Sequence, residues 1–446
     1  MKVPHFLKKE FPHIAIICLM VALGLSVRII YLSYTNFDKR AYDVGNHVKY
    51  VQYVAKNLRI PAPEKGWENA QAPLYYITAA ITYRLAGTLS LDHIKLLQIL
   101  SLTYSTISLI FGVLLLKLLF NRKLLFYSSA MLFLLWPSGI IHSIRISNDP
   151  MYYMMSIISL YFLIKWIYST SPKYFYSLAI FIALTIAVKL NGMVLLGITS
   201  LALIYKYCHS LLRSDPQGSP TATDTYLKQG LFLLAIVLLS FFLSYSRNIK
   251  AASTVPNFNI ISGNTHVGMP KGLVVKNAPQ NYLFFDTHAF IAQTFTTPWK
   301  DGGGRQYFWN YLLKTMLFGE FTFAHPFKTA LAMILNLTFV IMASFFFIGF
   351  INALRKVTLV KSILLVYLLF ALASLMYYRH HFPFSANGDF RFIFPVIIPC
   401  IYFYFSGIDF LITHKLKVIG VLGYIATSIF IVTSYLFFLS PLFRSS

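Results

Sequence analysis

Apolar stretches long enough to cross a lipid bilayer recur along the whole chain. Of its 446 residues, 57% are hydrophobic and 17% are aromatic, against 12% that are charged. A helix needs about 20 mostly apolar residues to cross a bilayer, and the pattern predicts about eleven such spans. The predicted spans are 13–33, 96–118, 124–141, 151–168, 175–189, 191–207, 229–246, 326–351, 361–378, 392–412 and 417–438. We therefore predict an all-α polytopic membrane protein with one membrane domain over residues 1–446.

The formal net charge of +24 would by itself fit a nucleic-acid-binding protein. The basic residues, however, lie between the apolar spans and do not gather on one face. In a membrane protein such residues set the topology and attract anionic lipid head groups. We therefore expect membrane lipids as partners and no nucleic acid. Cys18, Cys208 and Cys400 are too far apart in the sequence for a disulfide framework or a metal cluster.

The basic N-terminus reads as the cytosolic start of a retained first helix. With this orientation the short basic loops between spans fall inside, as the positive-inside tendency expects. The two longest loops, 34–95 and 247–325, then fall outside, and we predict that 247–325 is an acceptor-binding or lid region. The insert 213–224 is rich in Pro, Gly, Ser and Thr, and it is predicted to be a flexible inner linker.

The first long loop carries an amphipathic helical pattern over residues 43–58. At about 100° per residue, one face is apolar and the adjoining face is polar. The apolar face consists of Val44, Val48, Val51, Ala55 and Leu58, and the polar face of Asp43, Asn46, His47, Tyr50 and Tyr53. We predict a helix that lies in the membrane interface and ends before Pro61. Further interfacial segments are predicted from residue 74, over 281–285 and over 306–314.

Two aspartates, Asp43 and Asp149, each lie just beyond the predicted outer end of a span. Acidic residues are scarce, 14 against 38 basic residues, so two carboxylates at one membrane face need an explanation. Each could simply start a helix, because Asp is favoured at N-caps and Asp149 precedes Pro150. Ionisable groups at membrane depth are costly and usually functional. We interpret the pair as candidate catalytic residues at the outer water–lipid boundary.

Paired carboxylates of this kind suit the transfer of a sugar from a lipid carrier. A hydroxyl or amine that attacks an anomeric carbon needs a base, and a carboxylate can serve. A lipid phosphate can leave unprotonated if cations stabilise its charge. The candidate donor phosphate-binding residues are Lys189, Arg391, Arg145 and Arg379. Each of these could instead only extend its charged end to the interface.

Binding of a divalent cation is an alternative role for the two aspartates. Carboxylates bind hard cations, so Asp43 and Asp149 could hold Mg²⁺ or Mn²⁺. No other cofactor is expected, because the sequence contains no recognisable nucleotide-binding motif.

Five short motifs follow one another in a fixed order along the chain. They are Tyr42-Asp-Val-Gly-Asn-His47, Glu68-Asn-Ala-Gln-Ala-Pro-Leu-Tyr-Tyr76, Asn148-Asp-Pro150, Val188-Lys-Leu-Asn-Gly192 and Asp389-Phe-Arg-Phe-Ile-Phe-Pro395. This order resembles the GT-C membrane glycosyltransferases, near the protein O-mannosyltransferases and the lipid A aminoarabinose transferases. The resemblance covers roughly residues 10–410. It implies a GT-C-like fold and inverting transfer of a sugar from a polyprenyl-phosphate donor on the non-cytosolic face.

The resemblance also implies roles for individual residues. Asp43 matches the first-loop acidic residue, taken as base or substrate ligand, and Asp149 matches the second-loop acidic residue. Lys189 and Arg391 match basic positions near the lipid phosphate. The polar neighbours within the motifs are candidate substrate-binding residues, namely His47, Asn46, Glu68, Gln71, Asn148 and Asp389.

The expected partners are a polyprenyl-phosphate-sugar donor and a glycan, lipid or protein acceptor. Few cysteines and the lack of an obvious endoplasmic-reticulum signal favour a bacterial inner membrane, with the site facing the periplasm. Two alternatives stay open. A transporter or flippase of lipid-linked sugars would bind near the bilayer midplane on broken helices, which only the break at 189–192 favours. An O-antigen ligase or polymerase would act on similar lipids with a different loop arrangement.

Overall fold

The computed structural model describes residues 5–169, 171–212, 221–260, 263 and 269–440. Within these residues the structure has seventeen α-helices and no β-strand. The helices are α1 (His5–Tyr34), α2 (Val44–Asn57), α3 (Leu74–Thr88), α4 (His93–Leu119), α5 (Lys123–Leu134), α6 (Pro137–Ile141), α7 (Asp149–Ser169), α8 (Pro172–Val188), α9 (Met193–Leu212), α10 (Thr221–Thr254), α11 (Gln280–Leu283), α12 (Thr287–Ala292), α13 (Phe308–Phe318), α14 (Pro326–Arg355), α15 (Leu359–His381), α16 (Ile397–Thr413) and α17 (Lys417–Leu439).

Nine helices of the described residues are long and apolar enough to cross a membrane. The pair α5 and α6 adds a tenth span if the 49° bend between them lies within one crossing, and α8 is a shorter apolar helix. Ten of the eleven predicted spans each overlap one of these helices, and the span 124–141 overlaps the pair α5 and α6. Exposed apolar side chains such as Leu239, Phe242 and Leu243 cover the outside of α10, as expected for a lipid-facing helix. The all-α polytopic fold is confirmed, whereas the count of eleven spans is not.

The third predicted span, 124–141, is bent by 49° in the structure, between α5 and α6. The helix stops at Leu134 and restarts at Pro137, which has no N–H to donate to a preceding turn. Other side chains satisfy the freed backbone groups: Arg28 donates to the Leu134 carbonyl at 2.7 Å and Ser434 to the Leu135 carbonyl at 2.6 Å. The break redirects the chain towards Asp149.

The predicted amphipathic helix of the first loop is present as α2, and it packs on α3. Four of the five predicted apolar residues are buried, but Leu58 is 74% exposed because it ends the helix in a left-handed conformation. The predicted polar residues His47 and Tyr50 are also buried. The Tyr50 ring stacks on Tyr76 of α3 with ring centroids 3.6 Å apart.

Three other loop predictions can be compared with the structure. The segment from residue 74 forms α3, and the segments 281–285 and 306–314 overlap α11 and α13. Residues 213–220 of the predicted inner linker lie outside the described residues. The rest of that prediction is wrong, because α10 already begins at Thr221.

Several helix ends and helix breaks lie at one end of the bundle. Here α1 and α8 end, α7 begins, and a 3₁₀ turn over Phe390–Val396 leads into α16. Helix α2 follows α1 directly at this end. We call it the loop end. At the opposite end, the short-loop end, α4 is followed by α5, α14 by α15 and α16 by α17.

Candidate active site

Asp43 lies at the loop end, where two arginines hold its carboxylate. Arg145 Nη2 donates to Asp43 Oδ1 at 2.5 Å, and Arg391 Nη1 donates to Asp43 Oδ2 at 3.1 Å. The residue occupies the N-cap position of α2, yet its side chain accepts no capping hydrogen bond. A role as helix start therefore explains the backbone position of Asp43 but not the contacts of its carboxylate. The side chain is 21% exposed, so a ligand can reach it.

Asp149 is the first residue of α7 and is buried in a second ion pair. Its Oδ1 accepts a hydrogen bond from Lys189 Nζ, and its Oδ2 lies 4.0 Å from Arg145 Nε. The Asp149, Lys189 and Arg145 side chains are all buried. Arg145 therefore lies between the two aspartates and contacts both of them.

Breaks in regular helix place the other two cations. Lys189 is an extended residue between α8 and a 3₁₀ turn over Leu190–Gly192. Arg391 lies in the 3₁₀ turn before α16, where the Asp389 side chain accepts a hydrogen bond from the Arg391 backbone N–H at 3.0 Å. Tyr153 of α7 donates to the Arg391 carbonyl at 3.0 Å. The turns thus point both cations at aspartates that lie far away in the sequence.

The charges around Asp43 keep it ionised. Burial alone would raise the pKa of Asp43, but Arg145 and Arg391 outweigh this effect and hold it well below its usual range. His47 Nε2 lies 3.8 Å from Asp43 Oδ2, and His47 Nδ1 lies 2.8 Å from the Tyr76 hydroxyl. Burial would lower the pKa of His47, yet the acidic neighbours outweigh it and raise that pKa.

The predicted metal pair of Asp43 and Asp149 differs from the grouping in the structure. One ligand atom each of Asp43, His47 and Glu68 lies within 4.8 Å of the others, while Asp149 belongs to a separate ion pair. This set fits a divalent cation poorly, because arginines already neutralise both Asp43 oxygens. Burial also raises the pKa of Glu68, which favours its neutral form. The proposed reaction therefore includes no metal-dependent step.

The remaining predicted polar residues join the first loop to the bundle. Asn148 donates to the Gln71 side-chain oxygen at 3.2 Å and to the Val188 carbonyl at 3.3 Å. Asp389 is fully buried, with Oδ2 3.4 Å from Arg391 Nε. These contacts hold the elements that carry Lys189 and Arg391 in place.

A cavity of about 710 Å³ opens beside the cluster of Asp43, His47 and Glu68. Asn46 and Glu68 form part of its wall. Its other charged residues are Lys49, Arg59, Lys65, Arg247, Lys250 and Glu64. None of the five basic residues forms an ion pair within the part of the chain that the structure describes. The cavity is therefore strongly cationic and reaches the acidic group around Asp43.

The sequence matches no protein-family model and no curated protein sequence. Solved structures are similar. ArnT from Cupriavidus metallidurans in the apo state has a TM-score of 0.53 at 11% identity, over 94% of this chain and 75% of ArnT. The archaeal oligosaccharyltransferase AglB from Archaeoglobus fulgidus, in complex with an inhibitory peptide and a dolichol-phosphate, has a TM-score of 0.51 at 11% identity, over 97% of this chain and 56% of AglB. The chain has the same fold as these ArnT and AglB structures.

Within the described residues, Arg379 lies outside the charged group of Asp43, Asp149, Arg145, Lys189 and Arg391. Its buried guanidinium donates to the backbone carbonyls of Arg305 at 3.3 Å and Gln306 at 2.8 Å. It therefore anchors the long loop 247–325 to α15. Arg379 was predicted to bind the donor phosphate, but these contacts do not support that role, so it is not part of the proposed phosphate site.

Glu320 is a buried carboxylate that the sequence analysis missed. It follows α13 in the long loop, and its Oε2 accepts a hydrogen bond from the Tyr311 hydroxyl at 2.9 Å. Burial raises the pKa of Glu320 to about 7, against the opposing effect of Arg391. The signal was available, because Glu320 is a scarce acid directly after an apolar helix. Glu320 follows a helix within a loop, whereas the predicted site residues were selected at the ends of spans.

Proposed function

We propose that the chain is an integral membrane glycosyltransferase. It transfers a sugar, with inversion, from a polyprenyl-phosphate carrier to a glycan, lipid or protein acceptor on the non-cytosolic face, which we place at the periplasmic side of a bacterial inner membrane. The observation that carries the proposal is the partly exposed carboxylate of Asp43, which accepts hydrogen bonds from two arginines. One solved ArnT structure with this fold is bound to undecaprenyl phosphate, and the AglB structure contains a dolichol-phosphate.

Lys189, Arg145 and Arg391 form the proposed phosphate site. Arginine can bind two phosphate oxygens at once, whereas lysine acts as a point charge. Arg145 Nη1 and Nε are buried and have no hydrogen-bond partner among the described residues. Buried polar atoms normally have a partner, so these free donors support a ligand with acceptor oxygens.

The reaction needs one proton acceptor and one stabilised leaving group. The acceptor hydroxyl or amine attacks the anomeric carbon from the face opposite the lipid phosphate, and its proton passes to the Asp43 carboxylate. The bond between the anomeric carbon and the phosphate oxygen breaks, and its electrons leave with the lipid phosphate. The cations stabilise that charge, so no acid is needed. Attack from the opposite face inverts the anomeric configuration.

Donor binding would also strengthen Asp43 as a base. In the ligand-free site, Arg145 and Arg391 depress the pKa of Asp43, which makes the carboxylate a weak base. A bound phosphate would neutralise part of the charge on both arginines, and the pKa of Asp43 would then rise. Proton abstraction would thus be favoured only when the donor is present.

The cationic cavity is the proposed entry for the acceptor. Its five basic residues favour an acceptor that carries phosphate or carboxylate groups. Asn46 and Glu68 connect its wall to the Asp43 group, so an acceptor bound there could place its nucleophile near Asp43.

The test compares Asp43→Asn with Asp38→Asn in membranes that contain sugar-bearing polyprenyl phosphates. Asp38 is an exposed aspartate of the same loop, so this control matches the charge change. We expect Asp43→Asn to insert normally and to reduce the release of free polyprenyl phosphate at least 100-fold, the usual size of a general-base effect of roughly 10² to 10⁴. Mass spectrometry of the lipid fraction measures the release.

Asp38→Asn should retain the rate of the unchanged protein. Full release by Asp43→Asn would contradict the role of this residue as base. If the unchanged protein moved intact sugar-bearing lipid across the membrane without releasing free carrier, the chain would be a transporter and the proposal would fail.

A further inference from the structure

A second polar cavity lies at the short-loop end, on the opposite side of the bundle from Asp43. It has a volume of about 360 Å³ and opens between the start of α5, the end of α14, the start of α15 and the end of α16. None of its residues belongs to the proposed active site. A ligand bound here would therefore serve a purpose other than the transfer reaction.

Basic residues dominate the charge of this cavity. Arg122, Lys356 and Lys361 line it together with His414, and Asp409 is the only carboxylate among its described lining residues. Asp409 pairs with Arg122. Lys356 and Lys361 have no carboxylate partner within the described parts of the chain, and Lys361 donates to the Lys356 carbonyl at 3.1 Å. The cavity therefore has positive charge available for an anion.

Exposed apolar side chains lie next in the sequence to residues that line the cavity. Leu124 of α5, Leu354 of α14 and Val357 after α14 are exposed, although they belong to a bundle of apolar helices. Such side chains are expected to face lipid tails near the membrane boundary. A ligand that fits both features has an anionic head for the cavity and apolar chains for the adjacent helices.

We propose that this cavity binds the phosphate head group of an anionic phospholipid in the leaflet at the short-loop end. Lys356 and Lys361 bind the phosphate as point charges, and Arg122 is shared between Asp409 and the phosphate. The acyl chains lie along the apolar sides of α5 and α14. Basic pockets between membrane helices are known to take such head groups. A free phosphate ion would use the same cations but would gain nothing from the apolar surface.

The test uses the full-length protein in detergent with phosphatidylglycerol or phosphatidylcholine of identical acyl chains. Native mass spectrometry measures how much lipid each sample retains. We expect phosphatidylglycerol to be retained, and retention to be roughly 30-fold weaker in the double variant Lys356→Gln/Lys361→Gln, the usual combined effect of two basic residues at a membrane surface. The matched control is Lys415→Gln/Lys417→Gln, because both lysines are exposed at the same end and outside the cavity.

A further variant separates loss of binding from loss of folding. Asp409→Asn removes the carboxylate that competes for Arg122, so it should retain more phosphatidylglycerol than the unchanged protein, which a misfolded protein would not do. Equal retention by the two double variants would overturn the proposal. Displacement of phosphatidylglycerol by an equal concentration of inorganic phosphate would also overturn it and would indicate a site for a free anion.

Discussion

At the scale of single residues, the buried pair of Lys189 and Asp149 gives the sharpest prediction for stability. Lys189→Ala would leave the Asp149 carboxylate buried without its ammonium partner. Breaking a buried ion pair costs about 3–5 kcal/mol, and we expect a loss near the lower end, about 3 kcal/mol, because Arg145 Nε also lies close to Asp149. Thermal unfolding in detergent measures this loss as a lower melting temperature.

The double variant Lys189→Ala/Asp149→Asn distinguishes stability from donor binding. It removes both charges, so it should recover most of the lost melting temperature. It should not recover turnover, because the proposed phosphate cation is still missing. Recovery of turnover would show that Lys189 acts only by neutralising Asp149.

Glu320 predicts a pH dependence of stability. Burial raises its pKa to about 7 in the folded protein, against an ordinary value of 4.5. The folded state therefore holds this proton more tightly than the unfolded state, so its contribution is complete below about pH 4.5 and is lost as the pH rises through about 7. Glu320→Gln keeps a neutral side chain and should raise the melting temperature at about pH 8 but not at about pH 4.

The control for this prediction is Glu64→Gln, which removes a half-buried carboxylate of the first loop that has no ion pair among the described residues. Its pH profile of melting temperature should follow that of the unchanged protein. A Glu320→Gln profile parallel to that of Glu64→Gln would contradict the prediction, because it would mean that folding does not raise the pKa of Glu320.

The sequence analysis selected the two aspartates and the cations around them, but not which cation pairs with which aspartate. Scarcity of acids at the ends of spans was enough to select Asp43 and Asp149. The bond between Arg145 and Asp43 joins residues 102 positions apart. No local pattern encodes such a contact, because it depends on how α2 packs across the bundle.

At the scale of helices, hydrophobic periodicity predicted α2 well and its end less well. The apolar residues Val44, Val48 and Val51 repeat at helical spacing and are buried. Leu58 continues the pattern, but the chain turns at that residue, so it faces solvent. The break between α5 and α6 was missed because the residues directly before it, 131–136, are all apolar. The local signals were Pro137 and the Ser138-Gly139 pair, but proline at a first helical position is compatible with either outcome.

The close crossing of α14 and α16 supplies an element-scale prediction. A Cβ on Gly349 would lie 1.9 Å from the Phe403 carbonyl oxygen, so the backbones could not keep their separation. Small residues allow membrane helices to approach closely, and overpacking costs about 1–3 kcal/mol. We expect Gly349→Ala to lower the melting temperature. Gly197→Ala is the control, because its nearest neighbour, Phe370, is 3.9 Å away. Equal melting temperatures of Gly349→Ala and Gly197→Ala would contradict the close crossing of α14 and α16.

At the scale of the whole molecule, the fold was predicted from the order of spans and loops along the chain. Identity to ArnT and AglB is only 11%, and yet the fold extends over 94–97% of this chain. Lipid-facing helices need only apolar side chains, so many sequences satisfy the same arrangement. The sugar and the acceptor depend on a few cavity residues, and their identity does not follow from that arrangement.

Topology is the whole-molecule property on which the proposed function depends. Leu283 is 83% exposed in the long loop before α14, and Val357 is 69% exposed after α14. Because α14 is the one candidate span between them in the described residues, we expect the two residues on opposite sides of the membrane. The basic short loops predict that residue 357 is cytosolic and residue 283 is outside.

A membrane-impermeant maleimide on intact cells tests this orientation with Leu283→Cys and Val357→Cys, each in a background without Cys18, Cys208 and Cys400. Leu283→Cys should react at once, whereas Val357→Cys should react only after permeabilisation. Reaction of both in intact cells would mean that α14 does not span the membrane. The reverse pattern would put Asp43 on the cytosolic side, and a donor carried on the outer leaflet could then not reach it.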